Sequence, residues 1–188
     1  MLSKIIRILL IAAMLAGLGF LWFQSGDWRN AAREEAFRPD PKFVASSARV
    51  ISELEITDLK GQAAKLPGNG QYRLINYWAT WCGPCLEEMP LLNTFAKSQG
   101  ANDIMLIGIA LDEMKDVNEY LKQTPANYPQ FLETAGPDDS SSQLGNLSGI
   151  IPFTVLIGPD GRLLRQHAGP FADEPQLQEW LSKGMKQQ

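Results

Sequence analysis

Cysteine and histidine are almost missing from this chain, with two and one respectively in 188 residues. Two thiols cannot build the disulfide framework of a small secreted scaffold, nor a four-thiolate zinc site, so whatever they do they do as one pair. Positive charge is also scarce and scattered. With 17 Lys+Arg against 21 Asp+Glu the formal charge is −4, and no run of Lys or Arg supplies the clustered positive charge that phosphate binding needs, which sets nucleic acid aside as a partner. Gly and Pro, at 16 and 12, are too few for a low-complexity or collagen-like chain, whereas 45% hydrophobic residues suffice for one packed core. There is no internal repeat. Only residues 138–142 (Asp-Asp-Ser-Ser-Ser) approach low complexity, and they read as an exposed loop or a helix start.

The first 23 residues are a different material from the rest. Lys4 and Arg7 precede an uncharged apolar run over residues 8–23, and no acid occurs before Asp27. Trp22 and Phe23 sit where interfacial aromatics anchor a span, and the run is not succeeded by a small-x-small cleavage site. Residues 1–23 are therefore expected to form a retained signal-anchor transmembrane helix. The two basic residues should stay cytoplasmic, which places the chain beyond about residue 24 outside the cytoplasm. Residues 24–45 are polar, mixed in charge and broken by Pro39 and Pro41, and read as a spacer. Residues 46–188 form the expected folded domain. Without Lys4 and Arg7 the exported part keeps 15 basic residues against 21 acidic ones, a balance of −6.

Within that domain, strand-like and helix-like segments alternate. Residues 54–57 and 63–66 flank the turn composition Asp58-Leu59-Lys60-Gly61 and suggest a hairpin; residues 72–78 are aromatic and branched, as in a buried strand. A helix is expected over 84–98, a central parallel strand over the continuous apolar run 104–110, and a helix over 116–123 before Pro125. Residues 153–157 and 162–167, joined by Gly158-Pro159-Asp160-Gly161, give a second hairpin, and a helix over 174–183 closes the chain. The pattern predicts an α/β sandwich with a mixed sheet.

The chemistry concentrates at Trp78-Ala79-Thr80-Trp81-Cys82-Gly83-Pro84-Cys85, between the aromatic strand and its helix. A Cys-x-x-Cys across a helix start puts the first sulfur at the N-terminus, where free backbone N–H groups and the positive end of the dipole favour thiolate. Cys82 is the expected nucleophile. Cys85, one turn deeper on the same side, is the expected resolving thiol, shielded from substrate. Pro84 suits the first helical turn, and Gly83 adds little bulk beside an approaching partner. Glu88 lies about 60° around the helix from Cys85, whereas Glu87 projects about 200° away. Only Glu88 shares the thiol side, where it would relay the proton Cys85 must lose; the alternative is an acid placed there for the helix dipole. His167 reads as a solvated strand-end residue, and a haem attachment signal is excluded because Leu86 comes after Cys85 where His is required.

The segment Trp-Ala-Thr-Trp-Cys-Gly-Pro-Cys-Leu-Glu-Glu-Met-Pro resembles the active site of the thioredoxin superfamily, and more closely its TlpA-like branch of membrane-anchored extracytoplasmic thiol:disulfide oxidoreductases. The likeness runs from about residue 54 to 180. It includes Pro90, like the family's kink proline, and Gly149-Ile150-Ile151-Pro152-Phe153-Thr154, which resembles the family's cis-proline loop. The resemblance implies a thioredoxin-like three-layer sandwich with an N-terminal hairpin addition. It also implies a substrate edge at Ile151 and Pro152, on which an extended polypeptide pairs as a strand. Trp81 should shape that surface. Where thioredoxin carries a buried Asp this chain has Asn76, as TlpA-like proteins generally do.

The expected activity is reduction of disulfides in exported proteins, tethered to the outer face of a bacterial cytoplasmic membrane, and the resemblance implies a transmembrane thiol carrier of the DsbD or CcdA kind as electron donor. A Gly-Pro dipeptide between the cysteines favours a potential toward about −270 mV rather than the about −120 mV of a strong oxidant. A disulfide-forming oxidase, and a copper-handling module using the two thiolates as soft ligands, remain as alternatives. No cofactor or resident metal is expected, and the domain should be a monomer. Apocytochrome c, copper-site proteins and other exported substrates all fit, with residues 112–148 expected to set the choice.

Overall fold

A computed structural model describes residues 54, 56–67, 70–99 and 104–186. The expected transmembrane segment at 1–23 and the spacer at 24–45 lie outside the described residues. Among the described residues no helix is long and apolar enough to cross a membrane.

Among the described residues, seven strands make one mixed sheet. In chain order they are β1 (Ile56–Asp58), β2 (Ala63–Ala64), β3 (Arg73–Trp78), β4 (Met105–Leu111), β5 (Gln130–Glu133), β6 (Phe153–Ile157) and β7 (Leu163–Ala168). Their spatial order is β2-β1-β5-β4-β3-β6-β7. β3, β4 and β5 run parallel, and the other pairings are antiparallel. The parallel strands are joined by α1 (Gly83–Ser98) and α2 (Met114–Gln123); α3 (Ser140–Gln143) precedes β6, and α4 (Glu174–Met185) ends the domain.

The strand alternation of β3 sorts its side chains between two faces. Leu74 packs with Leu92 and Phe95 of α1 and with Leu177, Trp180 and Leu181 of α4. Trp78, on the same face, packs with Cys85 and Met89 of α1 and Val117 of α2. Tyr77 points the other way and meets the Ser140 hydroxyl of α3 at 2.8 Å. The sheet is thus the middle layer of a sandwich, and β3, an interior strand between β4 and β6, is buried along its whole length. Beside it, Gly108 leaves room for the Gln130 amide, whose Oε1 accepts the Trp78 Nε1–H at 2.9 Å. A side chain at 108 would displace that amide.

The N-terminal hairpin, the aromatic strand, the apolar strand and the three long helices occur where the sequence places them, within one or two residues at most ends. One strand has no counterpart in the sequence reading: β5 is four residues long and alternates buried with half-buried positions. The single turn α3 settles the choice at residues 138–142 between a loop and a helix start. Ser140 and Ser141 are buried in it, so residues 138–142 are a helix start capped by Asp139 and not an exposed loop. His167 also needs correction. It is half-buried, its ring stacked 4.1 Å from Phe171 and set edge-on to Trp180, because the loop after β7 folds back over it.

Candidate active site

Cys82 occupies the N-cap of α1 in extended conformation, with Pro84 in the first turn. A residue there has non-helical backbone, so its side chain reaches back over the first helical N–H groups. The Cys82 sulfur accepts the Cys85 N–H at 3.2 Å. The Cys82 carbonyl accepts the Cys85 and Leu86 N–H groups and so starts the helix. Cys82 and Cys85 are joined as a disulfide, their Cα atoms 5.3 Å apart. Cys85 is 1% exposed, as expected of a resolving thiol, but Cys82 is only 5% exposed. The pair therefore presents a narrow opening. Trp81, 69% exposed, stands beside it, and Gly83 and Pro84 are open to solvent.

The turn that carries Cys82 is held from below. Asp112, just past the end of β4, accepts both the Thr80 N–H (2.8 Å) and the Thr80 hydroxyl through one carboxylate oxygen, while the other accepts the Glu113 N–H. The C-terminal ends of β3 and β4 are thereby tied together under the motif. Sequence reasoning passed over Asp112, and its only signal was an acid directly after an apolar strand.

Glu88 is buried, 3% exposed, one turn beyond Cys85. Its two oxygens are held from different elements. Oε1 accepts the Phe171 N–H at 2.7 Å, and Oε2 accepts Asn76 Nδ2–H at 3.1 Å. Asn76 donates its other amide hydrogen to Thr154 Oγ1 at 3.0 Å, linking β3 to β6 just past Pro152. Burial raises the Glu88 pKa to about 7, against the opposing pull of the two hydrogen bonds. These contacts explain the Asn at position 76. An Asp there would set a second carboxylate against Glu88, whereas the amide donates to it. Glu88 is thus a buried acid bonded to Asn76 and Phe171, and not a surface one.

The Ile151–Pro152 peptide bond is cis. Ile151 packs against the apolar cluster that contains both cysteines, and Pro152 is buried. The structure therefore brings Cys82, Cys85, Trp81 and Ile151 to the C-terminal edge of the parallel strands, with Glu88 behind the cysteines. Among the described residues no cluster of three His, Cys, Asp or Glu is placed to hold a metal ion.

A family model described as Redoxin matches residues 40–181, three-quarters of the chain. The chain belongs to the Redoxin family. Within it the chain is similar to the thiol-disulfide oxidoreductase ResA of Bacillus thuringiensis subsp. konkukian, 26% identical over 181 residues and 94% of each chain. It is equally similar to the sporulation thiol-disulfide oxidoreductase A of Bacillus subtilis, 26% identical over 97% of this chain and 100% of that one. Among solved structures, a thioredoxin-related protein from Neisseria meningitidis serogroup B is 32% identical with a TM-score of 0.62, covering 70% of this chain and 99% of that chain. StoA from Bacillus subtilis, at 23% identity and a TM-score of 0.53, covers 68% of this chain and 95% of that one and shares the fold. This Redoxin-family chain is a ResA-like member of the thioredoxin superfamily and a thiol-disulfide oxidoreductase.

The raised Glu88 pKa has a stability consequence whose sign is fixed. Below about pH 4.5 the acid is protonated in folded and unfolded chains alike. Between about 4.5 and 7 the unfolded chain ionises it while the folded chain still holds the proton, so stability falls as pH rises, by about 3 kcal/mol in all. Urea unfolding of the oxidised protein and of Glu88→Gln should therefore show the wild type losing that much relative to the variant between pH 4 and 8. A difference that stays constant over this range contradicts the assignment.

Proposed function

We propose that this protein is an extracytoplasmic reductase that opens disulfides of exported proteins through Cys82, Cys85 and Glu88. The observation that carries this reading is the Cys82 sulfur at the N-cap of α1, receiving a backbone N–H, with a buried acid behind the second cysteine. An N–H donor and the dipole stabilise a thiolate at Cys82 more than at Cys85, so the two sulfurs have different work.

In the reduced protein the Cys82 thiolate attacks one sulfur of a substrate disulfide, and the other leaves as a thiolate that takes a proton from solvent. The product is a mixed disulfide. Glu88, ionised in about half of the molecules at neutral pH, receives the Cys85 proton, directly or through water. The Cys85 thiolate then attacks the Cys82 sulfur and expels the second substrate thiolate. Two electrons have passed to substrate, and the protein is left with the disulfide seen here.

Exported compartments are oxidising, so the disulfide must be reduced again by a thiol donor delivered through the membrane, of the DsbD or CcdA kind. The basic-then-apolar residues 1–23 support a membrane tether with the domain outside. Protease added to spheroplasts should degrade the domain while cytoplasmic markers survive; protection of the chain contradicts the placement. Direction and substrate are read together from a trap. Cys85→Ala should accumulate reducible covalent adducts through Cys82, and Cys82→Ala none. The absence of adducts in cells that require the protein contradicts nucleophilic catalysis.

A further inference from the structure

The segment between β5 and β6 is fastened at both ends by side-chain hydrogen bonds. At its start, Glu133 accepts the Ser140 N–H (2.8 Å) and hydroxyl, and the same hydroxyl meets Tyr77. Asp139 caps α3 through the Ser142 N–H (2.8 Å) and also accepts the Ser141 hydroxyl and the Gly136 N–H. At its end stands Asn146, which is 1% exposed. Its Nδ2 reaches back to the Ser141 hydroxyl at 3.2 Å.

Asn146 also treats Ile150 as a strand would. Its Oδ1 accepts the Ile150 N–H and its Nδ2 donates to the Ile150 carbonyl, both at 2.9 Å. The Gly149 N–H returns to the Asn146 carbonyl at 3.0 Å and closes a turn over Leu147 and Ser148, with Gly149 at φ +62° where a side chain is disfavoured. Both backbone groups of Ile150 are therefore taken. Pro152 has no N–H, and its carbonyl accepts the Gly169 N–H. Among the described residues, no hydrogen bond reaches the N–H or carbonyl of Ile151. Of Ile150, Ile151 and Pro152, the three residues at the cis bond, only Ile151 has its backbone free to pair. The same turn leaves Leu147 88% and Ile150 43% exposed.

We propose that Asn146 is a positioning residue for substrate: by saturating Ile150 it makes an extended, cysteine-bearing polypeptide pair through Ile151 alone, and it sets Leu147 and Ile150 as an apolar subsite for an aliphatic side chain next to that cysteine. The proposal rests on the reductase reading and adds to it the class of substrate preferred. A polypeptide whose cysteine is flanked by polar residues gains the backbone pairing but not the apolar contact.

The test uses the full chain, reduced beforehand, in single-turnover reactions with two five-residue peptides carrying leucine or serine on both sides of a cysteine blocked as its thionitrobenzoate disulfide. Attack by Cys82 on the peptide sulfur releases the coloured thiolate; the symmetrical aromatic disulfide of the same group, which has no peptide backbone, is the control. Asn146→Ala should raise the half-saturating concentration of the leucine peptide about ten-fold while leaving the maximum rate, and the rate with the small disulfide, within about two-fold. Asn146→Asp keeps the acceptor for the Ile150 N–H but loses the donor to its carbonyl, and should fall between. Leu147→Ser with Ile150→Ser, both at exposed positions, should abolish the wild-type preference for leucine over serine. Unchanged saturation in Asn146→Ala, an equal loss with the small disulfide, or no leucine preference in the wild type overturns the proposal. If Asn146→Ala does not fold, the double serine variant decides. A wild type that reacts with neither peptide nor the small disulfide overturns the reductase reading itself.

Discussion

The Cys85 N–H points at the Cys82 sulfur because a helix begins between them. This one contact separates two chemically identical thiols. The sulfur at the N-cap receives the Cys85 N–H at the positive end of α1, while its partner lies within the first turn and is 1% exposed. The remaining architecture holds that helix start in place. Asp112 clamps the turn at Thr80, and β3, an interior strand buried along its whole length, delivers the chain to the cysteines.

A buried carboxyl group is unfavourable, and Glu88 is held by donors from different elements around the site. The Phe171 N–H comes from the loop after β7, and the Asn76 amide comes from β3 and is itself fixed by Thr154 of β6. The result is an acid that exchanges a proton near neutral pH one helical turn from Cys85. The burial that lowers stability also brings its pKa near neutral, which is what the proposed role as proton acceptor requires.

The motif, its helix and the central strands could be read from the sequence because each is a local signal: a Cys-x-x-Cys at a strand-to-helix junction, a seven-residue apolar run, a proline in a first turn. The rotation of Glu88 toward the thiols came from helical geometry alone. Its burial did not, since the groups that hold it come from residues 76, 154 and 171. β5 was missed for a similar reason. Gln130 and Glu133 are polar, the strand is four residues long, and its place is set by pairing with β4 and β1 and by the bond from Trp78 to Gln130. His167 looks solvated in sequence because its partners, Phe171 and Trp180, reach it only after the chain has turned. The narrow exposure of Cys82 likewise depends on packing, in a cluster that includes Ile151 from a loop about 70 residues away.

The division of labour between the two sulfurs is tested most directly by the pH dependence of alkylation in the reduced full chain, with each modified cysteine identified by mass. Cys82 should react first, with an apparent pKa at least one unit below the about 8.5 of free cysteine, while Cys85 stays protected in the folded protein. Equal reactivity, or a Cys82 that ionises no more readily than a free thiol, would contradict the central claim that the helix start makes Cys82 the nucleophile.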